Sequence, residues 1–303
     1  MTTTNAGLMT AFPIGLGCMA MSGMYGPSDE SESSATIHAA LDRGVTLLDT
    51  GDFYGMGHNE MLIGKALAGG KRDRVFIQVK FGAQRDPAGA WLGYDARPAA
   101  VKTSLAYTLR RLGTDRIDLY QPARLDPNVP IEETVGAIGE MIDAGYVRYV
   151  GLSEMGAETI RRANAARPVT GVQLEYSLMR RAIEASILPA LRELGITATV
   201  YGVLSRGLLA GKRSEAMGAG DIRTRMPRWS GDNQSRNLTL VERLAEIARE
   251  KHATPAQLDD VLGALDVRLD ANHLARIDAA VPPEAVAGSR YDQHQMAMLD
   301  SER

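Results

Sequence analysis

An aspartate, a tyrosine and a lysine carry the clearest chemistry in this sequence. Asp49 and Tyr54 lie in Thr46-Leu47-Leu48-Asp49-Thr50-Gly51-Asp52-Phe53-Tyr54-Gly55, where an apolar strand runs into a glycine-bounded loop, and Lys80 ends the run Val75-Phe76-Ile77-Gln78-Val79. If the two runs are adjacent parallel strands, about 4.8 Å apart, Asp49 stands beside Lys80. The carboxylate then holds the ammonium in its charged form, and a cation near the phenol makes Tyr54 a stronger acid than an ordinary tyrosine, whose pKa is about 10. Such a phenol is suited to proton donation at neutral pH. Each residue also has a structural alternative: Asp49 capping a turn, Tyr54 packing its ring, Lys80 a surface lysine at a strand end.

That chemistry needs strand ends held side by side, and the rest of the chain offers them. Short apolar runs recur at Ile14 to Met19, Val45 to Asp49, Val75 to Lys80, Ile117 to Gln121, Val147 to Ser153, Val172 to Tyr176 and Ala198 to Tyr201. Between them, apolar residues three and four apart (Ile37 and Leu41; Leu105, Leu109 and Leu112; Ile131, Val135, Ile138 and Ile142) predict helices with one buried face. Repeated βα units without a composition break predict a single domain over residues 1–303, an α/β fold whose parallel strands close on themselves as a (β/α) barrel. An open doubly wound sheet is the competing reading, but after Gly15 and Gly17 the chain continues Cys18-Met19-Ala20, with neither the third glycine nor the helix start of a dinucleotide loop.

Bulk composition narrows the function. With 303 residues, 45% hydrophobic and 23% charged, the chain can bury a large core, and a net charge of -3 argues against nucleic acid or an anionic membrane as its partner. Cys18 is the only cysteine, so no internal disulfide is expected, and the five histidines show no metal-ligand spacing; no metal is proposed. No run of about 18 apolar residues and no basic leader precede the first strand, so a cytoplasmic protein acting on a small molecule is expected. Arg213, Arg223, Arg225 and Arg228 read as a loop that either folds over a cofactor phosphate or, the favoured reading, is solvated, and Trp91 and Trp229 as either a substrate mouth or packing under loops.

Over nearly its whole length the sequence resembles the aldo-keto reductases. Gly44 to Gly64, with Asp49, Tyr54, Glu60 and Gly64 in register, is similar to that family's first signature, and Lys80 falls at its catalytic lysine. The resemblance implies a (β/α)8 TIM barrel and an NADPH-dependent oxidoreductase, with Tyr54 giving the proton as hydride moves between nicotinamide and a carbonyl. It implies that Ser153, Gln173 and Tyr201 hold the carboxamide and stack on the ring. Leu204, Arg206, Gly207, Leu209 and Lys212, in Leu204-Ser205-Arg206-Gly207-Leu208-Leu209-Ala210-Gly211-Lys212, match the loop that wraps the pyrophosphate.

Three departures stand beside these matches. Glu154 follows Ser153 where the family has an amide; Ala123 stands where it has a catalytic histidine, with His58 nearby in sequence but more simply read as facing solvent at a helix start. After Leu258 the chain passes directly to Asp259, so the eighth strand and the basic loop that grips the adenosine 2′-phosphate are missing, a shortfall of about 25 residues against the eight-unit pattern. Discrimination between NADPH and NADH is therefore expected to be weak, below about 10-fold, or ~1.4 kcal/mol. Two functions stay open: an NADPH-dependent reductase of aldehydes or ketones, or of the reverse alcohol oxidation, and a catalytically weak or inactive relative that binds a ligand or regulates a partner.

Overall fold

The computed structural model describes residues 13–211, 217–218, 220–250 and 262–302. Its strands are β1 (Leu16–Gly17), β2 (Leu47–Gly51), β3 (Phe76–Phe81), β4 (Ala83–Arg85), β5 (Trp91–Tyr94), β6 (Ile117–Pro122), β7 (Val147–Ser153), β8 (Val169–Glu175) and β9 (Thr197–Tyr201). β4 and β5 form an antiparallel hairpin that hydrophobic periodicity alone does not reveal. The other seven make one sheet in the order β1-β2-β3-β6-β7-β8-β9, parallel at each pairing from β1 to β8. Each of the seven expected apolar runs overlaps one of these strands, with ends that differ by up to three residues and β1 shortened to two residues.

Helices separate the strands, which is why the sheet can be parallel. They are α1 (Glu30–Asp42), α2 (His58–Ala66), α3 (Pro98–Leu112), α4 (Ile131–Asp143), α5 (Ala157–Ala166) and α6 (Ile187–Leu194). The sequence signals act as physics predicts. Asp29 caps α1 by accepting the Glu32 amide at 2.8 Å, Pro98 opens α3, and left-handed Gly113 closes it. Ile37, Leu105, Val135 and Ile138 are buried, each worth about 1.5–3 kcal/mol relative to exposure. Gly64 is required by contact: a β-carbon there would lie 2.7 Å from the Leu112 carbonyl oxygen, so α2 presses directly on the end of α3.

β2, β6 and β8 are buried at every residue, as strands covered on both faces must be. β9 differs. None of its residues is fully buried and Val200 is 38% exposed. Among the described residues no strand follows it in the sheet. Among the described residues this is the strand and helix order of a (β/α)8 barrel with one strand fewer. The passage from Leu258 to Asp259 lies outside the described residues, as does Lys212.

Chain contacts divide the molecule into two compact units. The first is Met1–Leu174, Ile183–Thr199 and Ala297–Arg303; the second is Glu175–Ala182 and Val200–Met296. In the second, α7 (Gly231–Glu250) and α8 (Ala271–Ala280) are amphipathic, and Leu240, Val241, Ile247, Ala280 and Val281 share one cluster with Met179 and Leu209. Trp229 is 4% exposed and packs with Leu208, Met226 and Leu238, which gives it the packing role. Trp91 sits in β5, edge-on to Tyr94. Arg223 and Arg228 correct the reading of a solvated arginine loop: both are buried, Arg223 forked onto Asp221 and Arg228 beside Glu175. Arg225 is exposed, and Arg213 lies outside the described residues.

Candidate active site

Strand register decides which side chains meet. Asp49 on β2 pairs with Gln78 on β3, Gly51 with Lys80, Lys80 with Gln121 on β6, and Ser153 on β7 with Gln173 on β8. Alternation puts Asp49, Gln78 and Lys80 on the same face, and there they bond. Lys80 Nζ donates to Asp49 Oδ1 at 2.7 Å, to Oδ2 at 2.8 Å and to Gln173 Oε1 at 3.1 Å. The amides of Gln78 and Gln173 each donate to Asp49 Oδ1 at 2.9 Å, and Gln121 donates to Gln173 Oε1 at 3.3 Å. Asp49 is 9% exposed and Lys80 5%. Burial pulls the Lys80 ammonium below its ordinary value, while the Asp49 carboxylate acts against that pull and keeps the cation in place. Cys18 lies next to this pair; burial first and the Asp49 charge second push its thiol far up, so it is a proton-bound filler, not a nucleophile.

Tyr54 reaches the pair from the turn that follows β2. Lys80 Nζ lies 5.1 Å from the centroid of its ring, the phenol is 5% exposed, and Phe53 packs edge-on against it at 4.8 Å. The turn is bent hard. Gly55, Met56 and Gly57 follow one another with φ of 56°, 53° and 95°, and a methionine in that region is strained. The other positive-φ residues that are not glycine, among those described, are Glu154, Ser205 and Arg206. All four lie in the segments after β2, β7 and β9, within two residues of Tyr54, Ser153 or Leu204 or, for Arg206, at a residue singled out above. Strain of this kind collects where a fold must aim particular groups.

The sequence profile of the aldo/keto reductase family matches residues 13–258. The chain belongs to the aldo/keto reductase family. It is 38% identical to probable aldo-keto reductase 1 of Glycine max, over 92% of this chain and 88% of that protein. It is 37% identical to the aldo-keto reductase yakc [NADP(+)] of Schizosaccharomyces pombe (strain 972 / ATCC 24843), over 95% of this chain and 94% of that one. Among solved structures it resembles the glycerol dehydrogenase AKR11B4 from Gluconobacter oxydans, with a TM-score of 0.77, 27% identity and coverage of 89% of this chain and 92% of that one. It also resembles the holo form of aldo-keto reductase AKR11C1 from Bacillus halodurans, with a TM-score of 0.65, 26% identity and coverage of 93% and 94%. The fold is thus the aldo-keto reductase TIM barrel, with seven strands of its sheet described.

In this aldo-keto reductase the remaining residues singled out from sequence fall into two groups. Within the first unit, Ser153 ends β7 and pairs in register with Gln173 on β8, which bonds the Asp49–Lys80 pair. Ser153 Oγ and Gln121 Oε1 are buried and make no hydrogen bond in the structure, so the site keeps polar capacity that fits a bound amide or similar group. Glu154 does not compete for that space in the way its charge suggested, because its Oε2 accepts from Ser301 Oγ at 2.8 Å. In the second unit Tyr201 and Arg206 meet at Tyr291: Arg206 Nη2 donates to the Tyr291 hydroxyl at 2.6 Å, and the two tyrosine hydroxyls are 3.2 Å apart. Leu204, Gly207 and Leu209 follow in the same turn, with Leu209 buried.

Gln78, Gln121 and Asn59 belong to the constellation and were not singled out from sequence. Gln78 had a signal, since it lies two residues before Lys80 on the same strand face. Ala123 is buried just after β6, and its N–H donates to the Phe81 carbonyl at 2.8 Å. His58 starts α2, as expected, but its ring is engaged on both sides, by Ser22 Oγ and Glu30 Oε1 at 2.9 Å each.

Proposed function

We propose that this aldo-keto reductase is an NADPH-dependent oxidoreductase interconverting an aldehyde or ketone and its alcohol, with Tyr54 as the acid and base, in the cytoplasm. The observation that carries this reading is the buried Lys80 ammonium, clamped by both oxygens of Asp49 and 5.1 Å from the Tyr54 ring. A cation fixed there favours the phenolate and so makes the phenol a better donor. When bound, the reduced nicotinamide supplies the hydride taken up by the carbonyl carbon. Tyr54 passes its proton to the carbonyl oxygen, and Lys80 steadies the phenolate that remains until solvent returns the proton. Ser153, Gln173 and Tyr201 would hold the nicotinamide end; Leu204, Arg206, Gly207, Leu209 and Lys212 would hold the phosphates. The name of the Schizosaccharomyces pombe relative supports the choice of NADP, and that of the Gluconobacter oxydans neighbour supports an alcohol and carbonyl pair.

The test is reduction of a panel of aromatic and aliphatic aldehydes with NADPH, followed by loss of the reduced-cofactor absorbance, in the wild type and in Tyr54→Phe. Turnover should fall at least about 100-fold in the variant, the lower end of what a general acid contributes, while cofactor affinity by fluorescence titration changes little. Equal turnover in the variant removes Tyr54 as the acid. One observation favours the second reading, a weak or inactive ligand-binding relative: the buried methyl of Ala123, which can neither donate to a carbonyl oxygen nor relay a proton. Cofactor binding without turnover of any carbonyl or alcohol would establish that reading.

A further inference from the structure

Asn59 is completely buried in the first turn of α2, and its amide makes three hydrogen bonds, to residues that border the segments carrying the candidate catalytic residues. Its Nδ2 donates to the Cys18 carbonyl and to Ser22 Oγ, both at 2.8 Å, and its Oδ1 accepts from Thr50 Oγ1 at 2.7 Å. A carbonyl oxygen only accepts, so the Cys18 contact fixes which end of the amide is nitrogen. Each partner leads to the site by one step. Thr50 follows Asp49 on β2. The Cys18 N–H donates to the Asp49 carbonyl at 2.9 Å. Ser22 packs under Gly55, the residue after Tyr54, so closely that a β-carbon on Gly55 would lie 2.9 Å from the Ser22 Cβ.

Thr50 is the last residue but one of β2, the chain returns to it at Asn59, and the hydrogen bond between their side chains closes the loop on whose middle Tyr54 stands. Closing a loop at its base removes freedom from everything on it. Met56 in this turn needs such a constraint, because a methionine does not select a left-handed conformation by its own preference. We propose that Asn59 is a positioning residue for the proton donor: through Thr50, Cys18 and Ser22 it fixes the Tyr54 turn against the strand end that holds Asp49 and Lys80. This deepens the oxidoreductase reading above and rests on it for its kinetic part. Asn59 touches neither Asp49, Tyr54 nor Lys80 by hydrogen bond, so its influence passes entirely through its three partners.

Three variants separate this role from mere support of the fold. Thr50→Val is nearly isosteric and removes one of the three bonds; Ser22→Ala removes another; Asn59→Asp keeps the shape but loses both N–H donors. Turnover with the best aldehyde of the panel should fall about 5- to 10-fold in Thr50→Val and further in Asn59→Asp, with cofactor affinity within about 2-fold of wild type. The pH profile of turnover should shift in its alkaline limb. In a Tyr54→Phe background the Thr50→Val change should cost nothing further, because the bond acts through Tyr54. A full additional loss in that background, or an unshifted profile with only a lowered melting temperature, overturns the proposal. If Asn59→Asp does not fold, Thr50→Val and Ser22→Ala decide the matter.

A readout independent of activity covers an inactive wild type. Ultraviolet difference titration of wild type against Tyr54→Phe isolates the Tyr54 phenol. The same difference measured on Thr50→Val should give a displaced midpoint. A displaced midpoint in a protein that reduces no carbonyl supports the positioning role while the oxidoreductase reading falls. An unmoved midpoint overturns the positioning role whatever the activity.

Discussion

At the scale of single residues, the Asp49–Lys80 pair asks for asymmetric consequences. Lys80→Met removes the cation proposed to acidify Tyr54 and leaves a buried carboxylate without its cation, so on that reading kcat should drop about as far as in Tyr54→Phe, with a stability loss of about 3–5 kcal/mol. Asp49→Asn keeps a hydrogen-bonding group among Gln78, Gln173 and Lys80 and should cost less of both, since the aspartate acts only through the lysine. Steady-state kinetics with a denaturant melt on each variant checks the order, and activity retained by Lys80→Met would defeat the phenol-activation argument. Ala123 carries the bolder expectation. If a donor is what the site lacks there, Ala123→His should raise turnover about 10-fold or more, on the scale of one preorganised donor; unchanged turnover with weaker substrate affinity would mean that the substrate occupies the space. Asp49, Tyr54 and Lys80 were legible because a strand end and a reactive side chain leave a local mark. Asn59 and Gln121 were not, because an asparagine or a glutamine gains its role only from what faces it from another part of the chain, here Cys18 and Ser22 for Asn59 and Gln173 for Gln121.

At the scale of elements, the turn from β2 into α2 is built on buried carboxylates. The N–H of Asp52 donates to the Lys80 carbonyl at 2.9 Å, while its Oδ1 is buried without a hydrogen bond. Burial first and the Glu60 carboxylate second raise Asp52 from 3.8 to about 7. Glu60, raised by its own burial, is held by Thr108 and Arg111. A carboxyl raised in the folded state binds a proton that the unfolded chain has already released. Its stabilising contribution is therefore complete below about pH 4 and is lost as pH climbs towards 7. Asp52→Asn fixes the uncharged form. The melting temperature of the variant should match wild type near pH 4, exceed it increasingly as pH rises, and hold a constant margin above about pH 7. A margin that does not change with pH would show that Asp52 does not titrate in this window. The sequence marks Asp49 by its place at the end of an apolar strand, but nothing in it marks Asp52, three residues later, as a raised carboxyl. What separates them is that one faces a lysine and the other a glutamate.

At the scale of the molecule, the strand and helix order was readable because the parallel strands are short, largely apolar runs and the longer segments between them carry apolar residues three and four apart. β4 and β5 escaped because Ala83-Gln84-Arg85 carries no apolar alternation. The end of the chain shows what periodicity cannot express. Ala297–Arg303 groups with the first compact unit although the segment before it groups with the second. There Leu299 is 2% exposed, Asp300 Oδ2 accepts the Gly156 N–H at 2.7 Å, and Ser301 bonds Glu154 through both its hydroxyl and its N–H. Gly156 is the N-cap of α5, so Asp300 places a carboxylate where the helix dipole favours one. Glu154 is the strained residue next to Ser153, so the same seven residues steady a candidate cofactor contact. Ending the chain at Met296 forfeits the Leu299 burial and leaves the Gly156 N–H and the Glu154 carboxylate to find other partners, a loss on the order of 3 kcal/mol. In a urea melt the truncated protein should show a lower midpoint, with Ser301→Ala falling between it and wild type. Its NADPH affinity should weaken by more than its stability alone accounts for, measured well below the unfolding transition. A truncated protein with the wild-type midpoint and wild-type affinity would reduce these contacts to surface decoration.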